Sequence, residues 1–182
     1  MAKESSKLKS VKVAFTLPFI GKIEGLWEAD AAQQEAAWEM YVELITRIAV
    51  VELRDDEGLL REALSSLHAL FGVTREILRR HGPGVARSKK PSDLSFGYVA
   101  VAVLNLVLRP MLAKWHPLLS DYEARRVAPT SSWEHEKNWE HATELRAELR
   151  KVRGHLTAYA EILAEVAGVE SLIVPDASSN EP

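Results

Sequence analysis

The sequence predicts an all-α protein: a four-helix-type bundle with a kinked central helix and a short N-terminal extended arm or β-hairpin. Three observations support this fold class. An uncharged stretch, LSFGYVAVAVLNLVL, runs from Leu94 to Leu108 and requires burial. Three further segments carry apolar residues at helical spacing. Most glycines and prolines fall between these segments, where turns are expected.

Length and composition limit the functional classes. A chain of 182 residues is expected to form one domain, and a net charge of −3 gives no general attraction for nucleic acid or membranes. The absence of cysteine excludes disulfides, thiolate metal sites and cysteine nucleophiles. The start MAKESSKLKS lacks the apolar core of a signal peptide, so we expect a cytoplasmic protein. We divide the chain into an arm (1–28), a bundle (29–168) and a tail (169–182).

The N-terminal arm has the alternation of a strand. Val11, Val13 and Phe15 alternate with Lys12 and Ala14, and a second short segment follows Pro18. These residues could form a hairpin or an extended arm on the bundle. A two-stranded hairpin is marginal by itself, so either form must pack on the helices.

The first two helices are predicted over 31–53 and 57–80. Asp30 is a suitable N-cap for the first helix. One apolar stripe of this helix contains Trp38, Val42, Ile45 and Ala49, and Met40, Leu44 and Val51 lie on another face, so the helix is expected to be apolar on more than one side. In the second helix the apolar stripe begins at Leu60, and Gly82-Pro83-Gly84 ends the helix.

The central helix is expected to cover Leu94–Leu108, with Ser92 and Asp93 as caps and neighbours on almost all sides. Pro110 should kink or restart it, because proline lacks the backbone N–H. Pro117 is expected to interrupt the chain again, and 118–126 to form a short helical piece.

The last helix is predicted over 132–167, with Gly168 as its stop. Its apolar positions step by three and four along a heptad seam: Ala142, Leu145, Leu149, Val152, Leu156, Tyr159, Leu163 and Val166. We interpret this seam as one helix packed lengthwise in a left-handed bundle. A homodimer through the same helix is the alternative.

When the seam of the last helix is extended from Ala142 towards the N-terminus, its next positions are the polar residues Asn138 and His135. This change from apolar to polar residues predicts a ligand site. Antiparallel packing would bring the end of the central helix to the start of the last one. Aromatic walls with a few polar groups are the usual form of a small-molecule site. The candidate ligand-binding residues are Asn105, Arg109, Trp115, His116, His135, Asn138 and Trp139. The alternative is that this end of the bundle is simply open to solvent.

Catalytic and metal signals are weak. Glu134, Asn138 and His141 share a helical face, but no Glu-x-x-His pair occurs on two helices. The sequence also lacks a P-loop, a Rossmann glycine pattern and Gly-x-Ser-x-Gly. We therefore assign no catalytic residue, no metal site and no cofactor.

Charge is uneven along the chain. Between Glu24 and Glu57 there are ten acids against two bases, whereas between Arg75 and Lys90 there are six bases against Glu76 alone. We call the second segment the basic corner. Such a surface can attract a charged partner. Its candidate partner-binding residues are Arg79, Arg80, Arg87, Lys89 and Lys90. A nucleic-acid partner is not favoured, because the segment contains no aromatic residue for base stacking.

Two strings, AAWEMYVELITR (36–47) and LRPMLAKWHP (108–117), resemble uncharacterised all-helical proteins of bacteria, some of them encoded near defence or conflict genes. The resemblance covers only the first helix and the end of the central helix, and it implies an interaction or sensing module without a known activity.

We therefore expect a non-enzymatic, helical protein-binding or adaptor module, in a bacterial defence-type system, with a protein partner. The alternative is a bundle with a small-ligand or metal site at the Arg109/His116/His135 end. In this alternative the site could also be catalytic.

Overall fold

The computed structural model describes residues 9–17, 21–47 and 57–173, which are mostly helical after an N-terminal hairpin. Strand β1 (Lys9–Leu17) pairs antiparallel with β2 (Gly21–Ala29), with Val11 opposite Trp27. Both of these side chains are buried in the same core as the helices. The N-terminal segment is therefore a hairpin packed on the helices and not an extended arm.

Helix α1 (Ala31–Ile45) begins at the predicted N-cap, because the Asp30 side chain accepts a hydrogen bond from the Gln33 N–H. It ends at Ile45, earlier than predicted, and 48–53 lie outside the described residues. Of the two apolar faces expected from the sequence, the one that carries Trp38 is not the buried one, since Trp38 is 41% exposed. The face that packs inward carries Ala36, Ala37, Met40, Tyr41 and Leu44.

Helix α2 (Leu60–His81) confirms the predicted stripe. Its buried residues are Leu60, Ala63, Leu64, Leu67, Leu70, Thr74 and Ile77. Gly82 ends the helix with a φ of 71°, a conformation that favours glycine. A single 3-10 turn, Pro83–Ala86, then leads into the loop of the basic corner.

A long helix follows, in three continuous parts: α3 (Phe96–Ala102), a π-helical segment (Val103–Leu108) and α4 (Arg109–Glu123). Its N-cap is Ser95, whose hydroxyl accepts the Tyr98 N–H, rather than Ser92 or Asp93. The π-helical segment immediately precedes Pro110 and widens the helix where proline removes a hydrogen bond.

Pro117 lies inside α4 without ending it, so the predicted interruption at this residue is wrong. The residue four positions earlier, Ala113, is exposed. Its carbonyl can be hydrated, which compensates for the hydrogen bond that Pro117 cannot donate.

The long helix is not enclosed on almost all sides, contrary to expectation. Tyr98 is 58% and Val101 42% exposed, and Asn105 and Arg109 continue the exposed face. By length and composition, this helix could cross a membrane. The most apolar 18-residue stretch of this helix is 61% buried within the protein. The core helix of a soluble protein can have the same length and composition.

The last predicted helix is two helices. Helix α5 (Ser132–Lys137) is followed by a break, and α6 (Ala142–Ala167) ends at Gly168 in the left-handed conformation. The seam of α6 faces the core as predicted, with its central residues buried and Ala142 and Leu149 half-buried. Because the chain itself buries this seam, a dimer through α6 stays a prediction that would have to use the outer face of the helix.

Gln33 of α1 connects the hairpin, the basic corner and α3. Its side-chain oxygen accepts hydrogen bonds from the Trp27 indole N–H at 2.7 Å and the Phe96 N–H at 3.0 Å. Its amide nitrogen donates to the Arg87 carbonyl at 3.3 Å. The side chain is buried, so these bonds fix the backbone of the loop relative to α3.

Candidate functional site

Three of the predicted ligand-site residues meet in an aromatic cluster. The rings of Trp115 and Trp139 pack edge to face with centroids 6.0 Å apart, and both are buried. The His135 ring stacks on Tyr122 at 4.1 Å. Tyr122 also donates its hydroxyl to the His135 carbonyl at 2.8 Å. These side chains fill the space between α4, α5 and α6 and pack against one another.

His116, the next residue on α4, belongs to a separate polar network with α2. A guanidinium nitrogen of Arg61 lies 2.9 Å from His116 Nδ1, and the same guanidinium donates to both carboxylate oxygens of Glu123. Because arginine only donates, Nδ1 must accept, and the ring proton resides on Nε2. Burial, and then the Arg61 charge, lower the pKa of His116.

The buried Nε2 of His116 has no hydrogen-bond partner within the part of the chain that the structure describes. The His68 ring lies next to it, edge to face at 5.6 Å. The network therefore holds a neutral imidazole with one tautomer favoured. No hydrogen bond or ring contact between described residues joins this network to the rings of the aromatic cluster.

The remaining predicted ligand residues lie elsewhere. Arg109 donates to the Asn105 side chain at 3.0 Å and lies 5.3 Å above the Phe71 ring. Asn138 is exposed at the α5–α6 break, where its amide donates to the Glu134 carbonyl. The break changes the direction of the chain, so the seam does not extend back to Asn138 as the sequence suggested.

Sequence analysis did not identify Glu136, which is buried although charged. Its carboxylate accepts the backbone N–H groups of Leu60 at 2.7 Å and Arg61 at 3.2 Å. Burial raises the pKa of Glu136, and these two bonds oppose that rise. No local pattern indicates this role, since the two partners lie 76 and 75 positions away.

Glu136 also lines a cavity of about 160 Å³ between α5 and the first turn of α6. Two cations border it: Lys137, whose ammonium lies 4.8 Å from the Trp133 ring centre, and Arg146, which donates to the Glu57 carbonyl. The other lining residues are Gly58, Ala142 and Thr143. Within the described residues, no group of three or more histidines and carboxylates is placed to hold a metal ion.

The basic corner is partly neutralised by internal ion pairs. Arg80 pairs with Glu39 of α1, which also contacts His81 at 2.9 Å, and Lys89 pairs with Glu28 of β2 at 3.3 Å. The remaining bases are exposed and form no ion pair with another described residue: Arg75, Arg79, Arg87 and Lys90.

An exposed pair of side chains, Tyr98 and Val101, lies on α3, which packs against the 3-10 turn of the basic corner. Gly97 packs so tightly that an added Cβ would lie 2.9 Å from Ala86 Cβ and 3.5 Å from Leu78. In sequence, Arg79 follows Leu78, Arg87 follows Ala86 and Tyr98 follows Gly97. All three of these following side chains are exposed. Val101 lies one turn further along the long helix. Sequence analysis did not identify this exposed pair, because an uncharged stretch predicts burial on almost all sides.

Comparison of the chain with known protein families, with curated proteins and with solved structures finds no match.

Proposed function

We propose that the chain is a non-enzymatic protein-binding module, a four-helix-type bundle whose basic corner binds an acidic, amphipathic segment of a partner protein. The observation that carries this proposal is the exposed pair Tyr98 and Val101, 58% and 42% accessible, on the helix that packs against the 3-10 turn of the basic corner, where four exposed cations form no ion pair with another described residue. Tyrosine and arginine are enriched at the centres of protein interfaces.

A protein partner fits this surface better than a nucleic acid. Val101 is aliphatic and gains nothing from a phosphate, whereas burial of apolar surface drives protein association. Four cations could neutralise only about four phosphates, which supports weak, non-specific binding. An acidic peptide with apolar side chains would use both features of the surface.

The test compares two fluorescent probes by anisotropy: a short synthetic amphipathic peptide of leucine and glutamate, and a single-stranded oligonucleotide. We expect the peptide to bind with an affinity that falls as salt rises. Arg79→Glu combined with Lys90→Glu, or Tyr98→Ala alone, should weaken binding about tenfold. Lys12→Glu on β1 is the matched control, because Lys12 is exposed and lies outside the basic corner, and it should have no effect.

Two results would count against this function. Equal binding by the wild type and the Tyr98→Ala variant would mean that the peptide does not use the surface. Tighter binding of the oligonucleotide than of the peptide would replace the protein partner with a nucleic acid.

The cavity beside Glu136 supports a second candidate function, a small-ligand site between α5 and the first turn of α6. It combines a buried carboxylate with two cations and an aromatic wall. A thermal-shift screen with amino acids and other small zwitterions tests this candidate, and a shift that Glu136→Gln abolishes would support it. The defence association, the cytoplasmic location and a homodimer stay predictions.

A further inference from the structure

One arginine of α2 binds three residues of α4. The Arg61 guanidinium donates to both carboxylate oxygens of Glu123, to the Ser120 hydroxyl at 3.1 Å and to Nδ1 of His116 at 2.9 Å. Positions 116, 120 and 123 share one face of α4, because they follow helical spacing. Each guanidinium nitrogen has at least one of these partners, and we call these four residues the clamp.

The clamp is partly shielded from water. The side chains of Arg61 and Glu123 are 26% and 34% exposed, and that of His116 is half-buried. The buried Nε2 of His116 has no hydrogen-bond partner among the described residues, and the His68 ring lies edge to face with His116 at 5.6 Å. Glu123, the one carboxylate of the clamp, is already bound by Arg61. A proton added to His116 therefore gains no carboxylate of its own.

The surroundings of His116 disfavour a positive charge on its ring. Arg61 and His68 face it from α2, and Glu123 faces it from α4. Burial, then the Arg61 charge and then His68 lower the pKa of His116, and Glu123 opposes this only in part. On α5, Glu136 accepts the backbone N–H of Arg61, so its carboxyl also lies near the clamp. The closed clamp requires a neutral imidazole whose Nδ1 carries no proton.

We propose that the clamp is a pH-sensitive switch, which holds α2 against α4 at neutral pH and releases them in acid. A proton taken up from water by Nδ1 of His116 turns the acceptor of Arg61 into a second donor. The bond between them is lost, and two cations then face each other. Residues 60–68 of α2 and 112–123 of α4 separate more often as a result. The clamp lies at the opposite end of α2 from Arg79, so the switch does not depend on the proposed function.

Acid should favour the open contact, because the pKa of His116 is lowered in the closed one. The closed clamp contributes fully above the ordinary pKa of 6.5, and this contribution is lost as the pH falls below that value. Amide hydrogen exchange of the full chain, corrected for the intrinsic rate at each pH, measures the opening. We expect exchange in 60–68 and 112–123 to be about fivefold faster at about pH 5 than at about pH 7.5, which corresponds to the loss of one hydrogen bond.

Two variants separate the titration of His116 from a general weakening of the clamp. His116→Gln cannot take up a proton, and its amide oxygen can still accept from Arg61, so the fivefold increase in acid should be lost. Ser120→Ala is the matched control. It removes another bond of Arg61 without changing a titratable group, so exchange should rise at both pH values and keep the same ratio. Glu136 titrates in the wild type and in both variants, so the comparison between them reports His116.

A second measurement needs only the wild type. In an NMR titration of the histidine rings, the pKa of His116 should lie below its ordinary value of 6.5, and the amides of 112–123 should shift with the same midpoint. The switch is overturned if His116→Gln shows the same increase of exchange in acid as the wild type. A pKa of His116 at or above 6.5 would overturn it as well.

Discussion

The carboxylate of Glu136, on α5, accepts a hydrogen bond from the backbone N–H of Leu60, the first residue of α2, at 2.7 Å. Leu59, at the N-cap position, has no side chain that could do so. The first turn of an α-helix leaves N–H groups without helical partners, and an anion there is favoured by the helix dipole. Glu136 thus caps α2 from a distant part of the chain and ties α5 to it.

Replacement of this cap should destabilise the protein. We expect Glu136→Ala to lower the free energy of unfolding by about 1–2 kcal/mol, since it leaves buried N–H groups unpaired. Urea denaturation monitored by circular dichroism measures the change. The control is Glu134→Ala, an exposed glutamate of the same short helix, with an expected effect within about 0.5 kcal/mol. Equal losses in the two variants would contradict the capping role.

The same carboxyl should leave a signature in the pH dependence of stability. Because burial raises the pKa of Glu136, the folded state holds its proton more tightly than the unfolded chain does. This contribution to stability is complete below the unfolded pKa of about 4.3 and is lost as the pH rises through the folded value. Glu136→Gln cannot ionise, so its stability relative to the wild type should increase across that range. Parallel stability curves would refute this expectation.

The sequence predicted helices where periodicity and stop signals agree. In α2 and α6 one apolar face dominates and glycine ends the helix, so the buried residues were found correctly. In α1 two faces are apolar, and periodicity cannot choose between them. The alanines and Met40 face inward, whereas Trp38 borders a groove. Only the neighbouring elements decide which face is covered.

Contacts between distant residues explain the rest of the differences. Trp115, His135 and Trp139 of the predicted site lie in one aromatic cluster, but His116 turns towards Arg61 because adjacent residues of a helix face different directions. The basic corner was visible as composition. The ion pair between Glu39 and Arg80 could not be predicted from composition, because its two residues lie on different helices.

The buried hydroxyl of Tyr159 gives a second test of the core. Tyr159 lies on the α6 seam, is 2% exposed, and its hydroxyl has no hydrogen-bond partner among the described residues. Removal of an unpaired buried hydroxyl relieves a desolvation cost, so Tyr159→Phe should leave stability unchanged or raise it by up to about 1 kcal/mol. Tyr122→Phe is the counterpart: its hydroxyl donates to the His135 carbonyl, and we expect a loss of about 1 kcal/mol. Thermal and urea unfolding should therefore show that the free energy of unfolding is unchanged or raised in Tyr159→Phe and lowered in Tyr122→Phe.

Two helical glycines should respond oppositely to alanine. A Cβ on Gly97 would lie 2.9 Å from Ala86 Cβ and 3.0 Å from Ala86 Cα, so α3 must move away from the 3-10 turn. We expect Gly97→Ala to cost about 1–3 kcal/mol. Gly72 of α2 has no atom within 4 Å of an added Cβ, and Gly72→Ala should stabilise by about 0.5–1 kcal/mol through helix propensity. Because Gly97 packs α3 against the 3-10 turn that precedes Arg87, Gly97→Ala should also displace α3 relative to the basic corner and weaken binding of the peptide of leucine and glutamate, while Gly72→Ala leaves it unchanged. An increase in stability for Gly97→Ala would show that α3 does not pack closely against this turn.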